Sequence, residues 1–417
     1  MSTQELGEAQ VVPVEVGGHS PGTSGYRRIV VALFAAGVAT FTLLYSTQAV
    51  LPALAAQFGV SAGASAWSLS ATMLGLAVAL LVAGPLSDRL GRTPLIHASL
   101  ALSSLVGVAC VLAPSWPALL ALRTLEGVAL AGLPAVATAY LREELHPATH
   151  ARAVGLYVGG TAIGGMTGRL LTGAVADVAG WRWALGAAAA LGLVCAVVVR
   201  ALLPRSQRFE RRSVDVRSVL TTTRLAVGDR GLLALFGIGA CSIGVLTVVL
   251  NTVGFRLALA PFHLGLGAAS LVFCVYPLGS VSSAVAGRLA DRYGRRAVVP
   301  LGCVVALLGV LLTLPGSLPL LVVGLALIIC GFFAVHGVAS SWVPARAHAA
   351  GLATGQAASL YLFAYYVGAS VFGALGGHAW SGAGWPGVVL LAAGLVVTVG
   401  VLSLVLRRTP SLLTDPV

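Results

Sequence analysis

Arg123 and Glu126 stand three residues apart in the stretch Leu119-Leu-Ala-Leu-Arg123-Thr-Leu-Glu126-Gly127. On a helix that spacing places both on one face. A carboxylate beside a fixed cation can take up and release a proton, because burial favours the neutral acid and the guanidinium favours the carboxylate. The same pair can instead lock one helix in place. Both readings stay open at this level. His336 offers a second titratable group, in an apolar stretch between Phe333 and Trp342. An imidazole there is either a satisfied hydrogen-bonding residue or a proton switch. Arg169 ends the ladder Gly160-x-x-x-Gly164-x-x-x-Gly168-Arg169. It can hold an anionic solute, or it can snorkel to the interface. His97 and His378 lie near the ends of their runs and read as structural or wet.

Polar and aromatic residues inside apolar runs are the candidates for lining a solute path: Tyr45, Gln48, Trp67, Asn251, Tyr276, Tyr361, Tyr365 and Tyr366. Tyr45 and Gln48 share a helical face. Amphipathic aromatics suit a broad apolar pocket with few orienting hydrogen bonds. The competing role for a single Tyr is an interfacial belt. Glu126 is essentially the one acid embedded among several arginines, so neutral, amphipathic or anionic solutes are as plausible as cations.

The elements that position these residues follow from composition. Of 417 residues 58% are hydrophobic and 9% charged, against roughly 25% charged in a soluble domain. So few charges cannot cover a water-facing surface, and lipid must be the main solvent. Twelve apolar runs of spanning length lie near 29–54, 64–86, 94–113, 117–141, 152–176, 182–203, 231–254, 267–289, 297–315, 318–343, 350–376 and 385–406. The expected organisation is a disordered tail at 1–26, a six-helix bundle at 27–203, a polar linker at 204–230, a second six-helix bundle at 231–408 and a tail at 409–417. The run after Arg27 and Arg28 is too long for a signal peptide.

The 25 basic residues are all Arg against 13 acids, a formal +12. They sit between the runs, and by the positive-inside bias both termini are cytoplasmic. The linker holds Arg205, Arg208, Arg211, Arg212, Arg217, Arg224 and Arg230, with Glu210, Asp215 and Asp229 among them. External loops keep only Arg182 and Arg256. Anionic headgroups explain this basicity, and nucleic acid is excluded as a partner. The six cysteines lie inside apolar runs without a CxxC pair and read as small buried hydrophobes. There is no HExxH, paired Asp motif or GxSxG, so no enzyme, metal or cofactor is expected.

A repeat organises the chain. Gly84-Pro-Leu-Ser-Asp88-Arg89-Leu-Gly91-Arg92 matches Gly287-Arg-Leu-Ala-Asp291-Arg292-Tyr-Gly294-Arg295 at an offset of 203. Tyr157-Val-Gly159 is echoed by Tyr366-Val-Gly368 at an offset of 209. The halves are parallel repeats, each with a basic cytoplasmic turn between its second and third helix. Gly91 and Gly294 permit φ > 0, the Asp residues can face a helix N-terminus, and the Arg residues can pair with acids or lipid phosphates. These turns are the candidate gating loops.

The pattern G-x-L-x-D-R-x-G-R resembles the loop signature of the major facilitator superfamily, with its weaker twin in the second half. Arg123-Thr-Leu-Glu126-Gly127 resembles that family's fourth-helix R-x-x-Q-G motif, with Glu126 in place of Gln. The glycine ladder at 160–168 resembles the fifth-helix motif of antiporters, with Gly165 where Pro is usual. Ala369, Gly373 and Gly377 repeat it in the eleventh run. Five stretches resemble the acriflavine-sensitivity (YnfM-like) branch of drug-type exporters: Tyr45-Ser-Thr-Gln48-Ala-Val-Leu-Pro52, Ala131-Gly-Leu-Pro134-Ala-Val-Ala, Gly254-Phe-Arg256-Leu-Ala-Leu-Ala-Pro261-Phe, Gly331-Phe-Phe-Ala-Val-His336 and Tyr361-Leu-Phe-Ala-Tyr365-Tyr366. The resemblance implies an all-α membrane protein of twelve helices in two pseudo-symmetric bundles. It implies a monomer in the bacterial inner membrane that moves a small solute by alternating access, as a proton-coupled multidrug exporter. The alternative is a sugar or organic-anion transporter of either direction.

Overall fold

The computed structural model describes residues 18–209 and 216–409. Of the expected linker charges, Glu210, Arg211, Arg212 and Asp215 fall outside them, as does the Arg217 side chain; so do tail residues 1–17 and 410–417.

The chain is almost wholly helical. The first half comprises α1 (Ser24–Phe58), α2 (Ala62–Leu90), α3 (Arg92–Val111), α4 (Trp116–Glu144), α5 (His150–Ala179) and α6 (Trp181–Leu202). The second comprises α7 (Arg230–Ala258), α8 (Leu266–Tyr293), α9 (Arg295–Leu312) and α10 (Leu318–Ala349). A continuous stretch, Thr354–Arg408, follows. It is two helices, because Gly384 sits at φ 60, ψ −150, outside helical space. Its legs are α11 (354–383) and α12 (385–408). Among the described residues, ten helical stretches are long and apolar enough to span a membrane. Adding α5 and counting both legs gives twelve long segments among the described residues.

Local chemistry sets the ends. Thr23, Ser61, Ser115 and Asp229 cap α1, α2, α4 and α7 by accepting backbone N–H groups, satisfying donors that a helix start leaves open. Gly91 and Gly294 turn the chain at φ 98 and φ 83, where a Cβ would be strained. Six segments separate these turns, so both fall at one end of the molecule.

Some expected boundaries shift. α1 begins at Ser24, and His19 already pairs with the chain after α4, its N–H donating to Glu144 O at 2.9 Å. Residues 18–23 of the expected tail are therefore held in place by backbone hydrogen bonds and the Thr23 cap. The linker starts as a strap: Tyr140 Oη donates to Pro204 O, and Glu144 accepts from the N–H groups of Gln207 and Arg208. A helix, Val216–Gly228, carries it to α7.

Packing repeats between the halves. α1 lies on α5 as α7 lies on the 354–408 stretch, and α2 lies on α4 as α8 lies on α10. Across the halves, α2 meets α11, α5 meets α8, and α1 meets α7. Small residues permit these approaches. Gly63 and Gly377 meet backbone to backbone, and a Cβ on Gly173 would strike Ser270.

Candidate functional site

α1 is not continuous. Its first part ends at Tyr45, and a 3-10 turn over Gln48–Val50 leads into the rest. The break leaves carbonyls without helical partners, and Arg123 of α4 fills that need. Its Nη2 donates to Leu44 O at 3.0 Å, Nη1 to Leu43 O at 3.3 Å and to Ser46 Oγ at 3.2 Å, and Nε to Ser68 O at 3.1 Å. Glu126 Oε2 accepts from Arg123 Nη1 at 2.5 Å. Both side chains are 1% exposed. Beyond Arg123, the Glu126 carboxylate has Cys110 Sγ at 3.8 Å and Gly107 for neighbours, on α3 rather than between the halves. The pair therefore staples the α1 break.

The break presents Gln48 and Tyr45 to the centre, where α5 brings Arg169. The guanidinium does not snorkel; the residue is 1% exposed. Its Nε donates to Gln48 Oε1 at 2.5 Å and its Nη1 to Gly165 O at 2.6 Å. Its carbon lies 4.0 Å from the Tyr45 ring centroid, 4.6 Å from Tyr276 and 5.3 Å from Phe273. Among the described residues no carboxylate is within ion-pair distance of it. A charge this buried costs several kcal/mol to desolvate. Cation–π contacts return about 0.5–2 kcal/mol each, so the site is a cation held by dipoles and ring faces with no formal countercharge. Gly165 has a role here: its Cβ would meet Arg169 Nη1 at 3.3 Å and the Tyr45 ring at 3.5 Å, where the antiporter motif carries Pro.

Gln48 Nε2 in turn donates to Asn251 Oδ1 at 2.5 Å, linking α1 to α7. Asn251 Nδ2 is buried without a partner, next to Gly373. Ser70 Oγ donates to Ser370 O at 2.8 Å in the same region. These contacts, with Pro52 beside Gly254 and Asp177 beside Gly265, lie toward the end opposite the basic turns and hold the halves together there.

The remaining candidates divide. His336 shares a 2.9 Å hydrogen bond with Tyr361 Oη, stacks on Phe332 at 5.5 Å and lies 4.8 Å from the Tyr365 ring. Tyr365 meets Tyr366 edge-on at 5.0 Å. This cluster of α10 and α11 abuts the Arg169 box through Phe332, Phe333 and Tyr276. All these tyrosines are under a tenth exposed, so the centre is packed rather than hollow. Trp67 joins neither group and is 38% exposed. The buried positions around it on α2 are Ser65, Ala66, Ser68, Leu69 and Ser70, and Ser70 faces α11 through Ser370 O, so the indole points away from that contact. Phe273 and Ser70 were not singled out from sequence, because an apolar ring or a serine inside a span carries no signal of its own.

The two basic turns differ. In the first, Arg92 pairs with Asp88 at 2.6 Å and with Glu143 at 2.8 Å, and donates to Ser87 Oγ. In the second, Asp291 and Arg295 form no ion pair among the described residues, and Arg292 lies over the Tyr293 ring. The position of Glu143 is taken 203 residues later by Arg346, which pairs instead with Asp229 at 2.7 Å. Gly84 and Gly287 lie one turn earlier on α2 and α8, and Arg89 is exposed. Three of the cysteines are buried and Cys274 is exposed. Among the described residues no three His, Cys, Asp or Glu converge as a metal site would require.

A model of the Major Facilitator Superfamily matches residues 33–284 and 257–416. The inner membrane transport protein YnfM of Escherichia coli (strain K12) is 42% identical over 376 residues, covering 90% of this chain and 89% of that protein. The uncharacterized MFS-type transporter YybF of Bacillus subtilis (strain 168) is 39% identical, covering 88% and 90%. Among solved structures, a bacterial homologue of the human lysosomal transporter Spinster superposes with a TM-score of 0.70 over 94% of this chain and 96% of that one, at 16% identity, a likeness of fold alone. Twelve long segments in two matching halves, a polar centre between them and these full-length similarities place the chain in one family: it belongs to the Major Facilitator Superfamily and is a multi-pass membrane transporter.

Proposed function

We propose that the protein exports small amphipathic organic anions from the cytoplasm by alternating access coupled to protons. The observation that carries this is Arg169: a buried guanidinium with no carboxylate in ion-pair reach among the described residues, walled by Tyr45, Phe273 and Tyr276. A solute bearing a carboxylate and a planar apolar body supplies the missing countercharge and stacks on the walls. A charge-assisted hydrogen bond in that setting is worth about 1.5–3 kcal/mol.

His336 is the favoured proton carrier. It touches Tyr361 and Tyr365 and, among the described residues, faces no fixed charge within ion-pair reach. Glu126 is confined to its staple with Arg123. The outward direction rests on the likeness to drug-type exporters, and the cytoplasmic placement of both termini rests on the arginine distribution. One chain supplies both halves of the path, so a monomer suffices. The aromatic lining supports a second reading, transport of neutral hydrophobic drugs.

The test is solute movement in proteoliposomes with an imposed pH gradient, comparing salicylate, its neutral amide and ethidium. Wild type should move salicylate, Arg169→Gln should lose most of that flux, and His336→Gln should uncouple flux from the gradient. Unaltered salicylate flux in Arg169→Gln, or preference for ethidium, would overturn the anion reading.

A further inference from the structure

On the far side of the Gln48–Asn251 contact from the Arg169 box lies a wide, open cavity of about 790 Å³. Both halves build it. The first half contributes small residues at the α1–α2 junction, among them Ala55, Gly59 and Ala62. The second contributes Phe255 and Arg256 of α7, with Trp380 and Trp385 on either side of the Gly384 break. Small residues on one wall leave the volume; large aromatics on the other give it a flat apolar surface.

Arg256 is the charge in this cavity. It sits five residues past Asn251 on α7, about 7.5 Å along the axis. Its Nε is buried with no hydrogen-bond partner, and among the described residues it joins no ion pair. Its guanidinium carbon lies 5.4 Å from the Phe262 ring and 6.0 Å from Trp385. The aromatic wall is held in position. Trp385 Nε1 donates to Thr313 O at 2.9 Å and to Thr313 Oγ1 at 3.2 Å. Trp380 meets Trp385 edge-on at 6.3 Å and lies 6.3 Å from Phe255. An unsatisfied buried donor on a cation costs free energy unless something accepts from it, and fixed aromatic faces favour a planar body over a spherical ion.

We propose that this cavity is a second binding site for organic anions, an antechamber on the external side in which Arg256 holds the head group and Trp380 and Trp385 cover the ring. The assignment of the ligand class rests on the anion reading of the central site. The path then holds two cations, Arg169 within and Arg256 without, separated by the Gln48–Asn251 contact. An anion released inward of that contact is recaptured beyond it when the contact parts.

The test uses the full-length protein in phosphatidylcholine nanodiscs, with 8-anilinonaphthalene-1-sulfonate as probe and tryptophan-to-probe energy transfer as readout. Arg169→Gln removes the central cation, leaving the antechamber to be read alone. In that background Arg256→Gln should weaken binding about tenfold or more, and Arg256→Lys should restore part of it. Trp380→Phe with Trp385→Phe should remove most of the energy transfer. The uncharged N-phenyl-1-naphthylamine should bind alike in all Arg256 variants. Equal affinity for the sulfonate in Arg256→Gln, undiminished transfer without the two tryptophans, or an equal loss for the neutral probe overturns the proposal. Displacement of the sulfonate when phosphatidylglycerol is added also overturns it, assigning Arg256 to a lipid headgroup. Arg169→Gln flux tests the central site separately, so each site can fail without the other.

Discussion

Gln48 and Asn251 are 203 residues apart and meet side chain to side chain at 2.5 Å between the two halves. That separation equals the offset of the basic turns, so repeat-equivalent positions on α1 and α7 touch where the halves close. The contact continues through Gln48 Oε1 to Arg169. A group that competes for Arg169 therefore also loosens the link to Asn251. Under the proposed function, a solute at Arg169 competes for this amide and so couples its occupancy to the closure at the end opposite the basic turns. Asn251→Ala should shift the protein toward opening there. A buried neutral hydrogen bond is worth about 0.5–1.5 kcal/mol, so a cysteine placed at the buried Ala49 beside Gln48 should react with a membrane-impermeant maleimide about two- to tenfold faster. An unchanged rate would mean that the contact does not hold this end shut.

The Arg123–Glu126 pair makes a different prediction for each partner. Arg123→Leu removes the guanidinium donor from Leu44 O, while Leu43 O and Ser68 O keep the Ser46 and Thr72 hydroxyl donors, and it leaves Glu126 buried without its cation. Breaking a buried pair from one side costs about 3–5 kcal/mol, so this variant should lose most of its folded yield and melt markedly lower in detergent. Glu126→Gln keeps an acceptor for Arg123 and should be far milder. It should also retain pH-gradient-driven flux, and loss of coupling in a well-folded Glu126→Gln would return this residue to the proton path.

Close helix approach supplies a third test. A Cβ on Gly127 of α4 would overlap the Thr72 carbonyl of α2, and one on Gly75 would overlap the Thr124 carbonyl. Backbone cannot yield as a flexible side chain does. Gly127→Ala should therefore destabilise by about 1–3 kcal/mol or more, read as a lower melting temperature. Gly394 has nothing within 4 Å of its added Cβ, and Gly394→Ala serves as the neutral control.

Asp229 makes a pH-dependent contribution at the basic-turn end. It caps α7 by accepting from Leu232 N–H at 2.7 Å and pairs with Arg346. Burial pushes its carboxyl upward, but the Arg346 hydrogen bonds and the Leu232 amide outweigh that and leave it below the usual Asp value. A depressed folded value means that its stabilisation is present above the unfolded pKa and is lost as pH falls through the folded one. Asp229→Ala should cost about 0.5–2 kcal/mol at neutral pH from the lost cap. The difference from wild type should shrink as both are acidified below about pH 4. A gap that stays constant to pH 2 would contradict the assignment.

The amino-acid sequence by itself determined the solvent, the number of long apolar segments, the two-fold repeat and the basic turns, because each depends on composition or on a fixed spacing along the chain. It also marked Arg123, Glu126, Arg169 and His336, since an ionisable group in a span is conspicuous wherever it points. Direction was not legible. Whether Arg169 runs inward or snorkels depends on the α1 break, which offers it Gln48 and Tyr45 from a segment 121 residues away in sequence. Whether Glu126 faces a pathway or a neighbouring helix depends on the rotation of α4 against α3. Trp67 and Tyr276 look alike as aromatics in apolar runs, yet one is exposed beside a small-residue contact and the other walls a buried cation. Arg256 looked like an ordinary loop charge until α7, α11 and α12 placed it in an open aromatic-walled cleft. Spacing along one helix fixes which residues share a face; only packing between helices fixes what that face meets.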